Sequence, residues 1–283
     1  MGTYLRPTDL AEALDALAMG VAAGRPPVVV AGATDHYPAR VGRVVDEDVL
    51  DISGLATLRP IERRDDGWLI PAGATWTDVA EADLPPLFDG LRGAARAIGG
   101  LQIQNRATLV GNACNASPAA DGLPNLLALD AVVEIAARAG RRRVPIGSFV
   151  TGNRATVLRP DELVTGILVP EPEGSARSTF LKLGSRAYLV ISIAMVAVVL
   201  VTGADRRIAA ARVAVGACSA VARRLPVLEA ELLGHRAAPG LEKLVRPGHL
   251  AELAPIDDIR GTAAYRLEAA EVLVRRALAE LVA

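Results

Sequence analysis

The stretch IGGLQIQNRATLVGNACNASPAADGLPNLLALD, Ile98 to Asp130, decides how this chain is read. It gathers backbone-exposing residues (Gly99, Gly100, Gly111, Asn112), small hydroxyls (Thr108, Ser117) and one carboxylate (Asp121) into a polar, glycine-bearing run with apolar flanks. Small residues let backbone N–H groups approach anionic oxygens closely. A run of this kind suits a chain that wraps a large anionic ligand.

Working outward, a second segment repeats the logic. Pro26-Pro27 introduces VVVAGATD, where three valines predict a buried strand and Ala31, Gly32, Ala33, Thr34 and Asp35 a tight turn at its end. This turn and the one at Thr108, Leu109, Val110, Gly111 and Asn112 could pinch the two phosphates of one dinucleotide, while Asp121 accepts hydrogen bonds from ligand hydroxyls. Strand-to-loop turns, and polar loops satisfied by their own side chains, use the same residue types. Lys182, in KLGSR, is either a cation that meets the ligand or a solvated strand lysine.

The chain has 283 residues, 51% of them apolar and only 3% aromatic, so its core is Ala, Val, Leu and Ile, which suit helices packed on sheets. An α/β or α+β protein follows. The net charge of -1 offers no field for a polyanion, which argues against nucleic acid as a partner. Two cysteines, Cys114 and Cys218, form neither a disulfide framework nor a metal-ligand pattern, and an iron–sulfur cluster would need four. His36, His235 and His249 are scattered and are expected to be surface or satisfied histidines. GxGxxG, GxxxxGK[ST] and GxSxG patterns are absent, which disfavours a Rossmann site and excludes a P-loop. The apolar run Tyr188 to Val201 is too short to span a bilayer, and the N-terminus lacks a secretory pattern, so a cytoplasmic protein without a membrane span is expected.

Hydrophobic spacing predicts a helix over DLAEALDALAMG, capped by Thr8 and ended by Gly20, then strands at VVV and VGRVVDE, completing a small βαβ-type unit near Leu58. Short strands, turns and a central helix follow to about Val169, with a helix at WTDVAEA entered through Thr75 or Thr77 and another at LRGAARAIGG. The turn-rich PEPEGSARS marks a boundary near residue 174. Beyond it TFLKLGSRAYLVISIAMVAVVLV predicts strand, helix and strand, and the C-terminal segment a long helix.

AGATD, the Ile98–Asp121 signature, LPNLLALDA, KLGSR and DIRGTAAYR, in this order, resemble the FAD-binding medium subunit of the molybdenum hydroxylases, the xanthine and carbon monoxide dehydrogenase relatives, over nearly the whole chain. The resemblance implies an α+β fold: a two-subdomain FAD-binding domain of the vanillyl-alcohol oxidase (PCMH) type over 1–174, with subdomains of about 1–58 and 59–174. A C-terminal α+β domain over 175–283, of the CO dehydrogenase flavoprotein type, would carry a three-stranded antiparallel sheet and helices. It also implies that Ala31 to Asp35 and Thr108 to Asn112 cradle the FAD pyrophosphate, that Ser117 and Asp121 lie in the FAD-contacting segment, and that Lys182 and Val164 lie near the flavin ring.

Two departures stand out: Ala33 and Val110 replace glycines of the family loops, with Val110 the greater threat to flavin binding if it needs positive φ or close backbone approach. By resemblance the partners are a molybdenum-cofactor large subunit and a [2Fe–2S] small subunit, in a dimer of heterotrimers, with NAD or another terminal electron acceptor. The implied function is electron transfer from those clusters through FAD. The alternatives are a flavin-poor structural subunit and a standalone FAD oxidoreductase.

Overall fold

The computed structural model describes residues 2–42, 44 and 46–283. β1 (Tyr4–Leu5), α1 (Leu10–Ala22), β2 (Val28–Val30) and β3 (Val49–Asp51) form the first unit, a parallel three-stranded sheet in the order β1-β3-β2 with α1 alongside. The expected βαβ character holds, but its limits differ. Asp9, not Thr8, caps α1 by accepting from the Glu12 N–H at 2.9 Å, and the helix runs through Gly20 to Ala22. Of the strand expected at VGRVVDE, Arg43 and Val45 lie outside the described residues, and the pairing strand begins later, at Val49.

The second unit contains β4 (Glu62–Arg64), β5 (Gly67–Pro71), α2 (Trp76–Glu81), α3 (Asp89–Ala97), α4 (Leu101–Gln104), α5 (Leu109–Asn115), α6 (Gly122–Ala128), β6 (Val132–Ala137), β7 (Gly140–Pro145), α7 (Ile146–Phe149), β8 (Val150–Gly152), β9 (Ala155–Thr156) and β10 (Leu163–Val169). Its main sheet is antiparallel, ordered β4-β5-β10-β6-β7. Thr75 caps α2 in a capping box: its Oγ accepts from the Asp78 N–H at 3.1 Å and its own N–H donates to the Asp78 carboxylate at 2.8 Å. The same residue ties α2 to the signature segment, because Thr75 and Thr108 form a bridge and the Trp76 N–H donates to Ala107 O at 3.0 Å.

The remaining elements are β11 (Ser175–Leu183), β12 (Ala194–Thr202), β13 (Ile208–Gly216), β14 (Arg223–Arg224), α8 (Pro226–Leu232) and α9 (Ala263–Val282). Three nine-residue antiparallel strands, β11, β12 and β13, agree with the expected sheet, and the two-residue β14 adds a fourth at its edge. β12 explains the long apolar run of the sequence. Its Ala197, Val199 and Val201 face the core shared with α3 and α6, while Ala194, Val196, Val198 and Leu200 face the core under α8 and α9. A strand buried on both faces has no polar face to alternate with.

No helix forms between Gly184 and Ile193, against expectation. Leu189 sits at φ 52°, its carbonyl accepts from Arg186 Nε at 3.1 Å, and Ser192 is bound to Asp121, so the segment is a tied loop. Tyr188 on this loop is 77% exposed and is not a core residue.

Candidate functional site

Where the first and second units meet, the end of β2 and its following turn face the start of α5 across a cleft of about 780 Å³. A third wall comes from β9, the loop after it and the start of β10. The cleft brings together most of the residues singled out in the sequence: Ala31, Gly32, Ala33, Thr34, Asp35, Thr108, Val110, Gly111, Asn112 and Val164 all line it. Its deeper wall is apolar, with Ile52, Ala72, Ile98, Ile103 and Leu163.

Gly32 is required where it stands. A Cβ built on it would lie 1.9 Å from Arg106 O, so the two loops approach backbone to backbone. The N–H groups of Gly32, Ala33, Thr34 and Asp35 donate no hydrogen bond among the described residues, nor does that of Val110. On the facing side Thr108 caps α5, its Oγ accepting from the Gly111 N–H at 2.9 Å. Asn112 Oδ1 accepts from the Gly122 N–H at 3.1 Å, pinning the loop to α6.

The two departures from glycine trade places in importance. Ala33 occupies the left-handed region at φ 56°, the conformation a family glycine would take without strain. Val110 lies inside α5, buried, with no positive φ, so it fills core space and occupies no glycine-requiring position.

Three residues expected at the ligand are not on the cleft wall. Ser117 Oγ accepts from the Ala119 N–H at 3.3 Å in a local turn. Asp121 has both carboxylate oxygens engaged, one by Lys182 Nζ at 2.5 Å and one by Ser192 Oγ at 2.6 Å. Burial pushes its carboxyl up, against the pull of Lys182 and Ser192. Lys182 is a buried ion-pair partner, not a solvated lysine, and lines a separate cavity of about 440 Å³ with Gly93, Phe180 and Arg186. The side chains meet through tertiary packing of β11 on α3 and of β12 and β13 on α6, which spacing along the chain does not show.

Sequence reasoning missed the cations and the histidine of the cleft. Arg154 spans its mouth, one Nη donating to Asp35 at 2.8 Å and to Asn115 Oδ1 at 2.7 Å. The Arg159 guanidinium has no ion-pair partner among the described residues. His36, expected to be surface or satisfied, has a side chain only 9% exposed, and its Nε2 lacks a hydrogen-bond partner among the described residues; so does Trp76 Nε1. Both residues line the cleft. The expectation does hold for His249, whose Nδ1 accepts from the Arg246 N–H at 3.1 Å and whose Nε2 lies 3.0 Å from Glu231. Nothing in the spacing of His36 marks it; only its place directly after the AGATD turn could have drawn notice.

Burial raises the Cys114 thiol to about 12 and the Cys218 thiol to about 11, so both stay protonated and neither is a nucleophile. No group of three or more His, Cys, Asp or Glu among the described residues could hold a metal, and no described helix is long and apolar enough to cross a membrane.

The family described as the FAD binding domain in molybdopterin dehydrogenase matches residues 1–172, and the CO dehydrogenase flavoprotein C-terminal domain matches 179–281. The chain is 29% identical to the nicotine 6-hydroxylase medium subunit of Paenarthrobacter nicotinovorans, over 98% of this chain and 96% of that one. It is 30% identical to the glyceraldehyde dehydrogenase medium chain of Sulfolobus acidocaldarius, over 99% and 98%. A solved carbon monoxide dehydrogenase chain from Hydrogenophaga pseudoflava superposes with a TM-score of 0.87 at 25% identity, covering 99% of this chain and 96% of that one. The chain belongs to the FAD-binding medium-subunit family of the molybdenum hydroxylases. It is an oxidoreductase flavoprotein subunit, and its cofactor is FAD.

The cleft fits that cofactor. Its volume falls within the range of about 300–1,000 Å³ usual for ligand sites. It presents free backbone donors, one unpaired guanidinium and two orphaned buried ring nitrogens, which an anionic, hydrogen-bonding ligand would satisfy.

Proposed function

We propose that this chain is the electron-transferring medium subunit of a molybdenum hydroxylase complex, taking electrons from [2Fe–2S] clusters of a partner subunit through FAD to a terminal acceptor such as NAD. A large subunit carrying the molybdenum cofactor completes the assembly. The observation that carries the reading is the cleft itself: unused N–H groups of Gly32 to Asp35 and of Val110 converge from two loops, with Arg154 and Arg159 on the third wall. Two separate cysteines, where a cluster needs four ligands, support placing the clusters elsewhere. The division at residue 174 is part of the same proposal, with 1–174 holding the flavin and 175–283 forming the C-terminal domain.

In this reading the turn Ala31–Asp35 and the first turn of α5, Thr108–Asn112, hold the pyrophosphate through backbone N–H groups, and Val164 packs against the apolar part of the ligand. Bound flavin supplies a two-electron centre that also accepts electrons singly. Arg154 and Arg159 neutralise the phosphates. Asp121, Lys182 and Ser117 act behind the wall: the Asp121–Gly122 corner fixes Asn112, and the ion pair with Lys182 fixes the corner.

The test is the flavin content of the purified chain, alone and after incubation with excess FAD and removal of the unbound portion. About one flavin per chain is expected. A chain that stays colourless with excess FAD refutes the redox role and leaves the flavin-poor structural subunit. Oxidation of a small substrate by the isolated chain would instead favour a standalone oxidoreductase.

A further inference from the structure

The orphaned imidazole of His36 is the feature that the flavin-subunit reading does not itself require. It follows directly on the Ala31–Asp35 turn, it lines the cleft, and its side chain is 9% exposed. Its Nε2 makes no hydrogen bond among the described residues, although a Glu47 carboxylate oxygen stands 3.5 Å away. That carboxylate is occupied by Arg40, which binds it through Nε and, at 3.1 Å, through Nη2. Among the described residues, Tyr37 packs edge-on against the ring with centroids 5.0 Å apart, and Asp35, its neighbour in the chain, is ion-paired to Arg154 at 2.8 Å. Arg40 also donates to the His36 carbonyl at 3.0 Å. The imidazole is thus held in place by its surroundings and left unsatisfied by them.

We propose that His36 is a binding residue for the phosphoryl groups of FAD, and that it takes up a proton when those groups enter the cleft. The inference rests on the proposed flavin site. Without ligand, burial and then the Arg40 charge hold the imidazole below its ordinary value, so it stays neutral near pH 7. A phosphate oxygen within reach of the ring favours the imidazolium, because opposite charges at close range in a poorly solvated site attract strongly. Glu47, whose carboxylate oxygen stands 3.5 Å from Nε2, favours the same charge. The bound value is then higher than the free one. Between the two, binding is coupled to proton uptake, and affinity rises as the pH falls.

The test measures binding of FAD, ADP and riboflavin to the full chain from pH 5.5 to 8.5, with calorimetry in buffers of differing ionisation enthalpy to count protons. For FAD and ADP the Kd is expected to tighten toward low pH, approaching about tenfold per pH unit in the steepest part, with close to one proton taken up. Riboflavin, which lacks phosphate, is expected to show no such slope. His36→Asn keeps a polar side chain that cannot titrate, so it should lose the slope and bind FAD more weakly than the parent toward low pH. His36→Phe should also lose the slope and weaken binding throughout. A slope retained in His36→Asn, an equal slope for riboflavin, or stoichiometric FAD binding without proton uptake overturns the assignment of His36 and leaves the flavin site standing. Failure of FAD to bind at every pH overturns both.

Discussion

Substituting Asp121→Asn should separate a residue that supports the cleft from one that touches the ligand. The carboxylate is buried, bound to Lys182 Nζ at 2.5 Å and Ser192 Oγ at 2.6 Å. Asparagine keeps the shape and the hydrogen bond to Ser192 but leaves the Lys182 ammonium without its counter-ion. Breaking a buried ion pair from one side costs about 3–5 kcal/mol, because the remaining charge stays desolvated. Lys182 is 12% exposed and lines a cavity of about 440 Å³, so it can regain some hydration, which places the cost toward about 3 kcal/mol. For a chain of this size that corresponds to a fall in Tm of about 6 °C or more. Burial raises the Asp121 carboxyl, so the intact pair itself contributes little, and Asp121→Leu combined with Lys182→Met should recover most of the loss. Thermal and urea unfolding of the singles and the double measure this. FAD content below the transition should be unchanged in Asp121→Asn, since the cleft wall does not include this side chain. An Asp121→Asn protein that melts normally but fails to hold FAD would refute the reasoning and restore Asp121 to the ligand.

Val110→Gly, which restores the residue the family loop usually carries, should destabilise the chain by about 2–4 kcal/mol in urea titrations, since it removes a buried side chain and adds helix entropy. Ala33→Gly should change stability by less than about 1 kcal/mol, because relief at φ 56° is offset by the added freedom of the unfolded chain. Arg154→Ala should weaken FAD about tenfold by flavin fluorescence titration, with little change in Tm for so exposed a side chain. Because the folded His36 value lies below the ordinary one, the unfolded chain binds more protons below about pH 6.5 and the apo protein loses stability as the pH falls through that window. The loss should be smaller in His36→Asn and in the FAD-loaded protein, measured as Tm against pH.

The sequence alone determined the family, the mixed architecture and the turn after β2, because these rest on local requirements, whereas Thr108–Asn112, expected as a loop, is the capped start of α5. Gly32 must allow backbone contact, Thr75 must cap a helix, and three valines must make a strand, whatever surrounds them. Elements that depend on distant partners were misread. Residues 184–193 look helical from their apolar content, yet Asp121 holds the Ser192 hydroxyl and Arg266 donates to Ile193 O at 2.6 Å. The continuous apolar run is a strand because two cores, one on each face, cover β12. The tertiary structure alone decided which polar residues are spent and which are free. Lys182 and Asp121, 61 residues apart, consume each other, while at the cleft His36 Nε2 has no hydrogen-bond partner among the described residues. Charge neutralisation and hydrogen-bond satisfaction are properties of neighbours in space, and only the folded chain sets those neighbours.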